Sequence, residues 1–360
     1  MINPKNIIAV LLLSFATSVS AQSVGYDVEF SSTFDNREYS DIETLKPRSG
    51  TDFVVGLTPK IYLDFENNSR LYFGADFTSP IGGESVDIAG IIYYGYDSEA
   101  WSVSMGLFER SRMMIDSYST AFFSTDYLID DSILGGVAGR YMSGPSFVEF
   151  VCDWESQPSA TSREKFRLLS AARRYWSNLY IGYNLSMTHF AGIDGGAFTN
   201  VVDNALVNPC VGVLFSVGEV DVDARVGYLQ SLQRDRSYGN VWETPAMTEI
   251  AAKIGFRGFS IDEALYLGDN LMPLYGGHIL DDGVVMEYGE QLYTGDPMFA
   301  TEGGFYNRAA LKYERSFYDN MMSVSAQFVT HATSEGLGTE QILQLSLSLG
   351  GNLYRARNEK

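Results

Sequence analysis

The chain has 360 residues, with 25 lysines and arginines against 45 aspartates and glutamates, a net charge of −20. So acidic a chain excludes nucleic acid as a partner, because phosphates need a basic face, and past the N-terminus no run of about 18 apolar residues exists to make a membrane helix. Charged residues are only 19% and aromatics 14%, with 23 tyrosines and 35 glycines, which departs from soluble domains at roughly 25% charged and suits strands that face lipid on one side and water on the other.

Residues 1–21 read as a secretory signal peptide: Lys5 precedes an apolar run from Ile7 to Phe15, and small residues at Val19 and Ala21 place the cut after Ala21. The run is too short to cross a bilayer as a helix, and no cysteine follows the cut to take a lipid. The mature chain, 22–360, is then one domain dominated by period-two alternation. Val24, Tyr26, Val28, Phe30 and Phe34 alternate with Asp27, Glu29, Ser31 and Thr33, and Phe53, Val55, Leu57, Ile61 and Leu63 with Thr58, Lys60 and Asp64. The same grammar holds through Trp101–Leu107, Leu179–Met187 and Val220–Tyr228 to the final Leu343, Leu345, Leu347 and Leu349.

Strands are expected near 24–35, 52–66, 69–79, 85–97, 100–110, 132–143, 146–156, 163–175, 178–190, 205–217, 219–232, 247–257, 259–268, 305–316, 321–332 and 340–354. Three are less clean: in 85–97, 132–143 and 259–270 both parities carry apolar residues or a glutamate intrudes. Short turns at Asn67-Asn68, Asp97–Glu99, Ser143–Pro145, Ser177-Asn178, Gly218, Gly258 and Tyr318–Asn320 alternate with longer loops. The expected fold is therefore all-β: a closed antiparallel transmembrane β-barrel of about sixteen strands with short periplasmic turns and long extracellular loops. A soluble all-β protein or propeller also alternates, but has no reason to sort its loops by parity or to place Tyr94, Tyr96, Trp101, Trp154, Trp176, Tyr228 and Tyr354 toward segment ends, as interfacial girdles do. Cys152 and Cys210 fall three strands apart with opposite parity, so no disulfide is expected.

Residues out of phase with the apolar set face the interior. The candidate pore-lining residues are Lys60, Arg110, Arg140, Glu149, Asp153, Arg163, Lys165, Arg167 and Arg225. Within the hairpin 146–175, Glu149, Asp153 and Glu155 ascend while Arg163, Lys165 and Arg167 descend, as two opposed charge rows. They make either a transverse field or simply a well-paired wall, each pair worth roughly 0.2–1 kcal/mol. The loop 111–131 is too apolar for a solvated one, with Met113, Met114, Ile115, Tyr118, Phe122, Phe123, Tyr127, Leu128 and Ile129. It also carries Arg112, Asp116, Asp126, Asp130 and Asp131. The longest loop, 269–304, has the glycine and tyrosine content of an ordered extracellular lid; Asp281, Asp282, Glu287, Glu290 and Asp296 are oxygen ligands there, but no spacing matches an EF-hand, and no metal site is assigned. Three histidines, His189, His278 and His331, and the absence of GxSxG, HExxH and CxxC motifs leave no catalytic residue and no cofactor to assign.

Taken over the whole mature chain, this pattern resembles Gram-negative outer-membrane porins. The stretches FERSRMMIDSYSTAFFSTD (108–126) and FVCDWESQPSATSREKF (150–166) also look like poorly characterised barrel proteins of the Bacteroidota, and QILQLSLSLGGNLY is similar to the terminal assembly strand of barrels, from which the following RARNEK departs. The resemblance implies an outer-membrane location among lipid and lipopolysaccharide, passive diffusion of small hydrophilic solutes, no enzymatic activity, and a homotrimer, as porins often are. It also implies that 111–131 folds into the barrel as a constriction loop, with Asp116, Asp126, Asp130 and Asp131 facing Arg110, Arg112 and the basic wall, although no PEFGG-type motif is present. A structural or adhesion barrel with a closed lumen and binding loops is the alternative. A barrel hydrolase using His189 or His331 as base is the third reading.

Overall fold

The computed structural model describes residues 23–355 except 66, 84, 160, 194–200, 281–282 and 284. The signal peptide expected over 1–21, and Asp281 and Asp282, lie outside the described residues. Alternation becomes pairing in β1 (Ser23–Glu38), β2 (Gly50–Asp64), β3 (Ser69–Pro80), β4 (Asp87–Asp97), β5 (Trp101–Glu109), β6 (Ile133–Ser143), β7 (Ser146–Ser156), β8 (Lys165–Trp176), β9 (Leu179–Phe190), β10 (Val202–Val217), β11 (Val220–Asp235), β12 (Ala246–Phe256), β13 (Phe259–Gly268), β14 (His278–Ile279), β15 (Val285–Met286), β16 (Phe305–Phe317), β17 (Met322–Thr333) and β18 (Leu337–Arg355). β14 and β15 form a small hairpin inside the loop 269–304, and the other sixteen close one antiparallel barrel. β1 seals it, with Thr33 opposite Val54 on β2 and Gln344 on β18.

One rim carries tight turns and the other the loops, as the barrel architecture requires. At the turn rim Arg257 and Gly258 both have positive φ (47° and 87°), the backbone that a two-residue hairpin needs to match strand twist. At the loop rim, 39–49, 110–132 and 269–304 are long. The last outer connection is shorter than the sequence suggests, at 334–336, because β17 and β18 keep pairing up to Leu337.

The burial pattern is inverted relative to a soluble protein. Leu57, Ile61, Met105, Phe150, Ile181, Ile250, Ile261, Leu311, Phe328 and Leu343 are exposed on the outside, while Glu149, Arg167, Asn208 and Glu249 are buried within. Leaving each such apolar side chain in water would cost roughly 1.5–3 kcal/mol, and a hydrocarbon surround removes that cost. Trp101, Trp176 and Tyr354 lie exposed beside the turn rim and Trp154 toward the loop rim, which places aromatic belts at both interfaces. The three strands of mixed parity have a common cause. Their inward apolar residues, Ile91 and Tyr93, Leu134 and Ala138, Ala264 and Tyr266, are buried in a cluster with the loops, so both faces of those strands meet apolar surroundings. Cys152 and Cys210 are unpaired, as expected.

Parity makes a direct prediction at two adjacent residues in the middle of β16. Leu311→Arg on the lipid face should lower the unfolding free energy in vesicles by about 2–4 kcal/mol, whereas Lys312→Gln on the inner face should change it little. Equal effects would contradict the assigned faces.

Candidate functional site

The loop 110–132 runs through the inside of the barrel. Met113, Tyr118, Ala121, Phe122 and Phe123 are buried, so the loop's apolar content is accounted for by packing against the inner wall and against other loops. Both of its ends are stapled by one residue. Arg110, almost fully buried, donates from Nη1 to Asp153 Oδ2 on β7 at 2.8 Å, from Nη2 to Asp131 Oδ2 at 2.8 Å and from Nε to the Asp131 carbonyl at 2.9 Å. Its guanidinium also lies 5.1 Å from the ring centre of Tyr127.

Between these ends the loop touches wall strands on several sides. Glu149 on β7 accepts from the Met114 N–H at 3.0 Å. Asn184 on β9 donates to the Ser117 carbonyl at 3.0 Å and accepts from the Ser119 N–H at 3.3 Å. The hydroxyls of Ser119 and Thr120 lie 3.3 and 3.2 Å from Tyr266 Oη on β13. Helix α1 (Thr125–Asp130) then begins at Ser124, whose hydroxyl accepts from the Tyr127 N–H at 3.1 Å. From this helix Asp126 reaches Arg37 on β1 and Arg48 in the loop 39–49.

The loop 269–304 folds inward above it. Phe299 is fully buried, edge-on to Tyr266 and Tyr306 with centroids at 4.8 and 5.1 Å. The two loops are joined by backbone: the Ser124 N–H donates to the Thr294 carbonyl at 2.7 Å and the Asp296 N–H to the Thr120 carbonyl at 2.8 Å. Gly295 is required at this seam, since a Cβ there would lie 2.0 Å from the Ala121 carbonyl oxygen. Arg167 on β8 donates to Thr294 Oγ1. Glu335 clasps the outer loops together, accepting from the Thr44 N–H at 3.0 Å, the Thr44 hydroxyl at 2.8 Å and the Glu302 N–H at 2.9 Å.

Two cavities of several hundred Å³ lie beside the loop. One, about 610 Å³, is lined by Glu29, Asp76, Glu109 and Asp116 and by the hydroxyls of Ser31, Thr33, Thr58 and Thr78, with the loop's Met113, Met114 and Leu128 opposite. The other, about 440 Å³, is lined by Arg173, Arg225, Lys253, Arg308 and Lys312 with Asp116, Asp223 and Asp262. One compartment is thus mainly acidic and the other mainly basic. Asp116 borders both and, among the described residues, has no ion-pair partner within 4.0 Å.

The residues named from sequence have these places. Arg110 borders the first cavity and Arg225 the second, where it pairs with Glu249 at 3.0 Å. Lys60 is buried between Glu29, at 2.7 Å, and Glu109. Lys165 and Arg167 both pair with Glu155, which sits where the register of β7 with β8 shifts, with Arg167 at 3.3 Å. Asp153 sits opposite Arg167 in register but gives its carboxylate to Arg110, and Glu149 lies 3.8 Å from Arg140 while it holds the loop backbone. Arg163 donates to the carbonyls of Ala191 and Phe190 at 2.6 and 3.3 Å.

In the loop, Asp131 meets Arg110, but Arg112 turns away to Asp97 at 2.9 Å. Asp126 faces Arg37 and Arg48 rather than Arg110 and Arg112, and Asp130 borders a small cavity beside it. Of the grouping expected with Arg110, Arg112 and the basic wall, Asp131 lies at Arg110 and Asp116 beside the basic wall, and two parts are corrected: the helix turns Asp126 toward β1, and Asp97 is the nearer anion for Arg112. Glu290 pairs with Arg48, and Asp296 accepts from Tyr306 Oη at 2.7 Å, so these two acids of the lid are apart. Sequence reasoning missed the inward aromatics Tyr62, Tyr72, Tyr93 and Phe108, of which Tyr72 and Tyr93 stack at 4.4 Å. It also missed Arg37, Arg48 and Tyr266. The mixed parity of 85–97 and 259–270 was the available signal for the aromatics on those strands.

Two predictions follow from the staple and the clasp. Arg110→Gln leaves Asp153 buried without its cation and should lower the unfolding free energy by about 3–5 kcal/mol; adding Asp153→Asn should recover part of that loss in a double-mutant cycle, and additive losses would contradict direct coupling. Burial pushes the Glu335 carboxyl up, but the N–H groups of Thr44 and Glu302 and the Thr44 hydroxyl outweigh it and hold it below its ordinary 4.5. A folded value below the unfolded one stabilises the clasp above that pH and loses the contribution as pH falls through the folded value. Limited proteolysis of the outer loops should therefore speed up on acidification, and Glu335→Gln should flatten that response.

No protein-family model and no curated protein sequence matches this chain. Solved structures do resemble it. The outer-membrane protein OpdK of Pseudomonas aeruginosa aligns at a TM-score of 0.50 and 10% identity over 91% of this chain and 99% of that one. OccK5 (OpdH) of the same organism aligns at 0.53 and 8%, over 91% and 98%. A loop L8 deletion mutant of OmpT, an outer-membrane protein of Vibrio cholerae, aligns at 0.53 and 11%, over 92% and 100%. None of these three bears on the Bacteroidota resemblance of 108–126 and 150–166. At such identities the likeness is one of fold, and it extends over nearly the whole barrel.

Proposed function

We propose that this chain is a porin-like outer-membrane channel for the passive diffusion of small hydrophilic solutes, with residues 110–132 as its constriction. The observation that carries the reading is the pair of cavities of about 610 and 440 Å³, of opposite charge character, that flank the loop and share Asp116. Cavities lined by acidic, basic and hydroxyl side chains favour polar occupants, so a solute between them exchanges bulk water for ordered polar partners. The similar structures support the reading at the level of fold, since they are outer-membrane barrels spanning the same length. Residues 1–21 would direct export, and outer-membrane lipid and lipopolysaccharide would bound the apolar belt.

A closed structural barrel is the second reading, favoured by the backbone bonds that stack 269–304 on 110–132. Of the two histidines named for hydrolysis, His331 is buried between Tyr306 Oη at 2.9 Å and Glu340 at 3.4 Å, out of a solute's reach, and the half-buried His189 stacks on Phe166 with ring centres 5.0 Å apart.

The test is single-channel recording of the refolded protein in a planar bilayer under a salt gradient. A channel should give steady conductance, and Asp116→Lys should shift the reversal potential toward anion selectivity. Folded protein that leaves the bilayer sealed would overturn the channel and establish the closed barrel. The trimer implied by the porin resemblance would be read in the same preparation from its mass in detergent.

A further inference from the structure

Three carboxylates scattered through the sequence converge at the inner wall: Asp35 on β1, Asp126 on α1 and Glu340 on β18 each bring one oxygen within 4.8 Å of the others. All three are buried, at 2%, 8% and 4% exposure. Asp35 and Glu340 share a face because Glu340 lies opposite Arg37 in register, two residues along from Asp35. Anions gathered out of water repel one another and lose hydration, so the arrangement calls for a compensating cation or a shared proton.

The neighbouring guanidiniums do not meet the whole demand. Arg37 and Arg48 both reach Asp126 through Oδ2 and are shared with the more exposed Asp52 and Glu290. Asp35 is left with an approach of 3.7 Å from Arg37 Nε to its Oδ2, and its buried Oδ1 has no hydrogen-bond partner among the described residues. Glu340 meets His331 at Oε2, at 3.4 Å. Beside Asp35 and Asp126 lies a cavity of about 20 Å³, lined also by Thr33, Arg37, Asp52 and Asp130, with Glu340 outside its lining. A space of roughly 10–15 Å³ by this measure holds one water-sized occupant.

We propose that Asp35, Asp126 and Glu340 form a site for a hard divalent cation, Ca²⁺ by its chemistry, that clamps α1 to the barrel wall. An all-oxygen, carboxylate-rich set selects calcium or magnesium over softer metals, and Ca²⁺ tolerates the irregular geometry of ligands drawn from two strands and a helix. The site joins the middle of the lumenal loop to the seam between the first and last strands. It does not rest on the channel reading, because the three carboxylates converge whether or not the lumen conducts.

Tb³⁺, a luminescent stand-in for Ca²⁺ excited through tyrosine, tests the site in the full-length refolded barrel. Tyr39, edge-on to His331 at 5.6 Å, is the nearby antenna. The wild type should show a saturable Tb³⁺ signal that Ca²⁺ displaces. Asp35→Asn and Glu340→Gln, shown to be folded by their heat-shifted gel mobility, should each lose it, while Asp116→Asn keeps it. Retention in both folded variants, or no Ca²⁺-displaceable signal in the wild type, would overturn the proposal. Should the variants not fold, the wild type decides alone: Ca²⁺ added after chelation must raise its Tm, and an unchanged Tm counts against the site.

Discussion

Hydrocarbon offers no hydrogen bonds, so a sheet that crosses it must pair every strand and leave no edge. The meeting of β1 with β18, sixteen residues of the N-terminal strand against the C-terminal one, is where this chain meets that demand. Everything else follows from the closure. Sixteen strands make a ring too wide for wall side chains alone to fill, unlike the smallest barrels. The interior must then hold water, loops, or both.

Here loops fill much of it, and they bring a second core with them. Phe108, Phe122, Phe123, Tyr266, Leu292, Phe299 and Tyr306 belong to one buried cluster, assembled from wall strands and from the loops 110–132 and 269–304. Polar contacts then fix which wall each loop segment meets: Arg110 against Asp153, Asn184 against Ser117 and Ser119, Tyr266 against Ser119 and Thr120. Each joins a buried wall group to the loop, so shifting the loop would leave a wall donor or acceptor unsatisfied at a cost of about 1–3 kcal/mol each. The remaining space is divided by the loop into an acidic and a basic compartment, and that division gives the lumen its chemical character.

Much of this was legible in the sequence. Period-two alternation specifies strands strongly because lipid and lumen impose opposite preferences on successive residues, and a register slip would reverse them all. The apolar loop 111–131 revealed its burial through composition, since Phe122 and Phe123 have no place in a solvated loop. The facing charge rows of the hairpin 146–175 were readable because a hairpin sets its two strands side by side, but the convergence of Lys165 and Arg167 on Glu155 was not, since it depends on the register shift after Trp154. What else remained hidden lies at long sequence separation. Asp126 meets Arg37 and Arg48, and Asp35 meets Glu340, only because the barrel closes. Tyr72 and Tyr93 stack inward, where an alternation rule sends apolar residues to the lipid.

The account stands on the loop 110–132 occupying the lumen. The most direct measurement is the bilayer conductance of a folded variant in which residues 113–129 are replaced by a short glycine-serine linker. An occupied lumen predicts a several-fold rise in conductance over the wild type, because the segment that divides the interior is gone. A variant that folds and conducts no better than the parent would contradict that placement.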